Sequence, residues 1–198
     1  MNSNICVFCS SSDTVDQEFV EVANNLGREI ALNKDVLIFG GGTTGLMGAC
    51  ARSVHRSEGK VVGVIPKGLN VSGVVYEKCD EIYETKDLRE RKGIMDSMAD
   101  VFIALPGGFG TIEEIMEIIT LKQLKYHNKP IVLINKGGFF NHLIRQFDYI
   151  IQGNFACEEC KNLYYITESI CQAFAYIRKY RPLLVDAKNC EKQLKKSC

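Results

Sequence analysis

The sequence predicts an α/β fold, a doubly wound, mainly parallel sheet of about six to seven strands with helices on both faces. Three observations carry this expectation. Short apolar runs alternate with segments of helical periodicity along most of the chain. Glycine-rich segments directly follow two of those runs, where strand-to-helix turns of parallel sheets lie. The composition is that of an ordinary globular domain, with 198 residues, 46% apolar and 24% charged.

The elements follow in order. Ile5-Cys6-Val7-Phe8-Cys9 reads as a first strand, and Phe19, Ala23, Leu26 and Ile30 then share one face of a helix. Val36-Leu37-Ile38-Phe39 is a second strand, followed by a helix over 45–57. Strands at 61–65 and 80–84 precede a helix over 87–98. A strand at 101–105 leads into a helix over 111–126. Strands at 131–134 and 163–167 alternate with helices over 138–152 and 168–179. This rhythm fits one α/β domain over residues 1–185, with crossovers of right-handed sense. Residues 186–198, with Lys188, Lys192, Lys195 and Lys196, read as a solvated tail.

Charge and cysteine content narrow the class. The 24 basic and 24 acidic residues balance, which argues against nucleic-acid binding through bulk charge. No apolar run reaches membrane-span length and the N-terminus lacks the pattern of a signal peptide, so a cytoplasmic protein is expected. The nine cysteines are then read as thiols in a reducing compartment. Cys6 and Cys9 would point to opposite faces of a strand, which makes a shared metal difficult. Cys157 and Cys160 have C-x-x-C spacing but lack a second local pair, and His55, His127 and His142 show no ligand spacing. No metal and no cofactor is expected.

Two glycine loops and the first-strand turn, Ser10-Ser11-Ser12, should share the carboxyl edge of the sheet, where ligands of such folds bind. The first loop is Gly40-Gly41-Gly42-Thr43-Thr44-Gly45. It matches G-x-G-x-x-G, but the next strand ends in Pro66-Lys67 rather than the acid of a dinucleotide site. A tight turn for helix packing and a sugar-phosphate contact both remain open for it. The second loop is Pro106-Gly107-Gly108-Phe109-Gly110-Thr111, followed by Glu114. Its glycines would let backbone amides approach an anion at a helix N-terminus. Neither loop ends in the G-K-[ST] of a P-loop.

Glu114 has two readings. Thr111 and Glu114 have the spacing of a capping box. Helical phase places Ile112, Ile115, Met116 and Ile119 on a sheet-facing side and Ile118 and Leu121 on another, with Glu114 between them. A second cover, such as another subunit, would shelter Glu114 and raise its pKa toward that of a useful acid or base. Arg91 lies in the preceding helix, which descends about 10 Å from Arg91 to Met98 at ~1.5 Å per residue. The following strand climbs roughly 16 Å at ~3.3 Å per residue, so Arg91 returns to the same edge as the glycine loop. There it could hold a phosphate or orient a carboxylate. A solvated surface helix is the alternative for Arg89, Glu90, Arg91 and Lys92.

Taken together, Arg91-Lys92-x-x-Met95, Ala99-Asp100 and Pro106-Gly107-Gly108-x-Gly110-Thr111-x-x-Glu114 resemble the LONELY GUY family of cytokinin riboside 5′-monophosphate phosphoribohydrolases, often labelled lysine decarboxylase-like. Gly40-Gly41-Gly42-x-x-Gly45-Leu46-Met47-Gly48 and Val7-Phe8-Cys9-Ser10-Ser11-Ser12 fit the same pattern, and the likeness spans about residues 5–150. The resemblance implies a Rossmann-like fold and a homodimer with sites near the subunit interface. It implies hydrolysis of an adenine nucleoside 5′-monophosphate to free base and ribose 5-phosphate without a metal or redox cofactor. Arg91 and Glu114 take the family's catalytic positions. Gly41, Gly42, Gly107, Gly108, Gly110 and Thr111 take its nucleotide-contacting positions, and Ser10, Lys92 and Met95 join them as expected substrate contacts. The chain departs from the family pattern at Leu88-Arg89, where a Met-His pair is common, and at Ser10, where glycine is usual.

Overall fold

The computed structural model describes residues 2–182. The segment read as a tail lies outside the described residues. Seven strands among them form one fully parallel sheet: β1 (Asn4–Phe8), β2 (Val36–Phe39), β3 (Lys60–Pro66), β4 (Glu81–Thr85), β5 (Val101–Ala104), β6 (Ile131–Ile134) and β7 (Tyr165–Thr167). Their spatial order is β4-β3-β2-β1-β5-β6-β7. The chain therefore builds outward from β1 in one direction, then returns to β1's other side at β5. Six α-helices pack around this sheet: α1 (Gln17–Leu32), α2 (Gly45–Arg56), α3 (Leu88–Met98), α4 (Phe109–Gln123), α5 (Asn141–Gln152) and α6 (Ile170–Lys179).

Strand alternation divides the core into two halves. Ile5, Val7, Leu37, Phe39, Ile103 and Val132 face α1, α2 and α6, which supply Ala23, Leu26, Ile30, Leu46, Val54 and Phe174. Cys6, Phe8, Ile38, Phe102, Ala104 and Leu133 face α3, α4 and α5, which supply Met95, Ile115, Ile119, Phe147 and Ile151. Cys6 and Cys9 fall into opposite halves, as expected for a strand. The sheet is nearly continuous in apolar residues at its centre and opens only at the edges, where Ile82 and Tyr83 of β4 are exposed.

β1 and β5 are neighbours in space with a large separation in sequence. Phe8 pairs with Ala104, Leu105 N–H donates to Phe8 O at 2.9 Å, and Ser10 N–H donates to Pro106 O at 3.2 Å. At the opposite end, Asn4 N–H donates to the Asp100 carboxylate at 2.9 Å. The strand order reverses between these two strands, so a crevice opens beyond their carboxyl ends. The β3–β4 connection carries a short 3₁₀ turn, Lys67–Leu69, in place of an α-helix. Its later part lies back on the first glycine loop, with Thr43 N–H donating to Val74 O at 2.9 Å and Tyr76 N–H to Gly41 O at 2.8 Å.

Candidate active site

A cavity of about 420 Å³ occupies the crevice. Ser10, Ser11 and Ser12 line it from the β1 turn, Gly40 from the end of β2 and Met47 from α2. Arg91 and Met95 come from α3, and Gly108, Phe109, Gly110, Thr111 and Glu114 from α4 and its approach. Its walls thus come from both sides of the strand-order reversal.

The two glycine loops have different jobs. At α2 the helix N-terminus is already satisfied within the chain. Gly45 N–H donates to the Asp13 carboxylate at 2.7 Å, and Leu46 and Met47 donate to Ser10 O at 2.9 and 3.2 Å. Gly45 has φ +57°, and a Cβ there would meet the backbone of residues 10–12 at 2.6–2.7 Å. The loop is a tight junction that locks the Ser10–Asp13 turn onto α2. Gly41 and Gly42 lie against Tyr76 and Val75 of the β3–β4 connection and outside the cavity lining, while Gly40, their neighbour, enters it.

The N-terminus of α4 is open. The helix starts at Phe109 with Gly108 as N-cap, so its first three amides lack a partner within the helix. Gly108 has no side chain with which to cap them. A Cβ at Gly108 or Gly110 would meet nothing within 4 Å, so the protein keeps that space free along the cavity wall. Orphan amides, a positive helix end and open space suit this part of the cavity to an anion. Gly107 serves differently: a Cβ there would collide with the Thr111 side chain, so glycine lets Thr111 fold under the loop.

Glu114 is brought against Arg91 of α3, whose Nη2 donates to Glu114 Oε1. The helix start corrects the capping-box reading, because Thr111 is the third residue of α4 and Glu114 reaches across to α3. The burial pattern corrects the helical-phase reading too. Glu114 is 9% exposed and belongs to the buried side with Thr111, Ile115, Ile118, Ile119 and Lys122. Ile112 and Met116, assigned to the sheet side by periodicity, are only half-buried. The shelter of Glu114 therefore comes from its own chain, with no second subunit required.

That burial pushes the Glu114 carboxyl up from 4.5 to about 7. The Arg91 charge opposes the rise, while Glu113 adds to it. Beneath the pair, the buried Cys6 thiol is also pushed well above its ordinary range by desolvation. Arg91 is held close over the glycine loop: a Cβ at Gly40 would lie 3.2 Å from Arg91 Nη1. Arg91 Nε is buried and has no hydrogen-bond partner among the described residues. A buried donor left unused beside a cavity is what a ligand oxygen would satisfy.

The remaining expected contacts divide. Ser10, Met95, Gly108, Gly110, Thr111 and Glu114 meet at the cavity with Arg91. Lys92 does not; its Nζ pairs with Glu113 and lies 2.6 Å from Glu117. Gly107 supports the loop from behind. Met47, whose sulphur lies over the glycine loop, lines the cavity although sequence reasoning did not single it out as a contact. Its place one turn into α2, after a loop ending beside the crevice, was the available signal. Elsewhere, the Cys157 and Cys160 sulphurs lie 3.5 Å apart, and among the described residues no group of three or more His, Cys, Asp or Glu could hold a metal ion. No helix of the described residues is long and apolar enough to cross a membrane.

Known proteins resemble this chain in both sequence and fold. Residues 47–177 match the family model described as possible lysine decarboxylase. A probable cytokinin riboside 5′-monophosphate phosphoribohydrolase of Arabidopsis thaliana is 35% identical over 179 residues, covering 90% of this chain and 89% of the relative. A probable enzyme of the same name from Oryza sativa subsp. japonica is 40% identical over 165 residues, covering 83% of this chain and 72% of the relative. Among solved structures, the molybdenum cofactor carrier protein of Chlamydomonas reinhardtii superposes with a TM-score of 0.70 at 21% identity, covering 90% and 98% of the two chains. The molybdenum cofactor binding protein of Rippkaea orientalis gives 0.69 at 22% identity, covering 90% and 96%. At that identity the likeness shows the fold alone. The sequence matches go further: the chain belongs to the LONELY GUY family, whose model carries the possible lysine decarboxylase description.

Proposed function

We propose that the protein hydrolyses the N-glycosidic bond of cytokinin riboside 5′-monophosphates, that is N6-modified AMP, and of AMP itself, releasing free base and ribose 5-phosphate. The observation that carries this reading is a sheltered arginine–carboxylate pair in the same cavity as an uncapped helix N-terminus. The relatives named as phosphoribohydrolases support the substrate class.

The geometry supports the following division of labour. The amides of Phe109, Gly110 and Thr111 hold the 5′-phosphate, and the helix end supplies positive potential. Glu114 lies one turn further along the same helix, so anchoring the phosphate carries the ribose toward it. As the base departs, positive charge develops on the sugar, as in other glycosidic cleavages. The Glu114 carboxylate stabilises that charge and accepts a proton from the attacking water. Water supplies hydroxide to the anomeric carbon, and the departing base leaves with a proton from solvent. Arg91 fixes the carboxylate, and its free Nε hydrogen-bonds a ribose or phosphate oxygen. Met47 and Met95 offer polarisable, apolar contacts suited to a flat base. A homodimer with sites near the interface is part of this reading, and Phe109, 94% exposed at the cavity rim, would be covered in it.

Incubation of the purified protein with AMP and with N6-isopentenyl-AMP tests the reading by chromatography of the released base. Base release at catalytic rate, abolished in Arg91→Ala, is the expected result. Tight nucleotide binding without release would instead favour a carrier on the same scaffold. Carbon dioxide evolved from lysine would favour decarboxylation.

A further inference from the structure

Glu114 borders a second, smaller void of about 40 Å³, lined also by Lys92, Asp96 and Glu117. Lys92 is 19% exposed in its side chain and spends its charge on α4, pairing with Glu113 and, at 2.6 Å, with Glu117. One cation against two carboxylates leaves a single uncompensated negative charge beside the buried carboxyl. We propose that Lys92, Glu113 and Glu117 form a charge array that acts electrostatically on Glu114 across this void, with Lys92 a positioning residue instead of a substrate contact. This inference rests on the reading of Glu114 as the group that handles the proton.

The sign follows from elementary electrostatics. A neighbouring carboxylate favours protonated Glu114, and a neighbouring cation favours its ionised form. Glu113 and Glu117 act in the first sense on Glu114, and Lys92 and Arg91 in the second. The other groups facing this carboxyl are engaged elsewhere or neutral. Asp96 of α3 is tied to Lys129 at 3.2 Å. The thiols of Cys6 on β1 and Cys9 just after it are held neutral by burial. Arg91 touches Glu114 directly and serves the chemistry. The array is therefore the adjustable element, and it lies on helix faces turned from the substrate cavity.

The test is an NMR titration of the Glu114 side-chain carboxyl in the full-length protein, with kcat followed over the same pH range. Glu113→Gln should lower the carboxyl midpoint by about half a pH unit or more, and Lys92→Met should raise it by a similar amount. The double variant restores one net negative charge and should return the midpoint close to wild type. The acid limb of kcat should move in step. A midpoint unmoved in Glu113→Gln, or one that moves the same way in both single variants, overturns the array. Should Lys92→Met fail to fold, Glu113→Gln alone decides, because that side chain is 58% exposed. The titration requires no substrate, so the two readings fail separately. Midpoints that move without base release sink the functional reading and keep the array. Base release with fixed midpoints does the reverse.

Discussion

Replacing Glu114 by glutamine separates two consequences of burying this carboxyl. In the unfolded chain the group titrates at its ordinary 4.5, and in the folded protein burial has raised it to about 7. Between those values the folded state binds more protons than the unfolded state, so stability falls as pH rises. At about 1.4 kcal/mol per pH unit, the contribution is about 3 kcal/mol, fully present below pH 4.5 and lost as pH passes through about 7. Glutamine keeps the shape and does not titrate. Any fixed cost of replacing the charge shifts its whole stability curve without changing the slope. Urea melts at intervals from about pH 4 to about pH 8 should therefore show wild type losing about 3 kcal/mol relative to Glu114→Gln. Parallel curves would refute the burial argument. Turnover should run the other way: wild-type kcat rises across this window as the carboxylate forms, and the variant is slower by about 100- to 10,000-fold. A folded Glu114→Gln protein with near-wild-type turnover would remove Glu114 from the mechanism.

Further expectations concern the loops and the core. Gly110→Ala places a methyl group in open cavity space, so its melting temperature should stay near wild type while KM rises and ribose 5-phosphate inhibits less strongly; unchanged kinetics would move the phosphate off α4. Gly107→Ala should instead cost about 1–3 kcal/mol in urea melts, because its methyl collides with Thr111 inside a packed loop. Buried Lys122 donates to Leu163 O at 2.8 Å, and desolvation lowers its pKa from 10.5 to about 8. The unfolded chain then holds more protons between those values, so wild type should gain stability relative to Lys122→Met as pH rises from about 8 to about 10. Curves that stay parallel would show that the ammonium is better solvated than its burial implies.

Much of the sheet was legible because each central strand is buried on both faces and reads as an uninterrupted apolar run ended by glycine or polar residues. Val36-Leu37-Ile38-Phe39 and Ile131-Val132-Leu133-Ile134 need nothing beyond that pattern. The return of Arg91 to the edge that carries the second glycine loop was legible from element lengths, since a helix and the next strand must retrace each other's height; its pairing with Glu114 was not. The covered face of α4 was harder to read. Periodicity counts apolar residues, and Ile112 and Met116 attracted the sheet-facing assignment that belongs to a side carrying Thr111, Glu114 and Lys122. Of the polar residues there, Thr111 packs under the glycine loop, Glu114 pairs with an arginine and Lys122 bonds a distant carbonyl, none of which shows in local sequence. The jobs of the two glycine loops were equally hidden. What distinguishes them is Ser10 O and Asp13, which occupy the α2 amides from a strand turn more than 30 residues away.

The adjacency of β1 and β5 also dictates an order of assembly. The hydrogen bond between Asn4 and Asp100 spans 96 residues, and the strands it joins frame the crevice. Closing so long a loop has an entropic cost that local contacts cannot offset in advance, so this pairing is expected to form late in folding, which stopped-flow refolding of β1–β5 interface variants would check. A nascent chain that has produced only β1 to β3 can bury one face of α1 and α2 but has half a crevice and an unpaired β1 edge. Ligand affinity should thus appear all at once, when β5 docks, and the newborn protein must keep that edge from pairing with another chain until then.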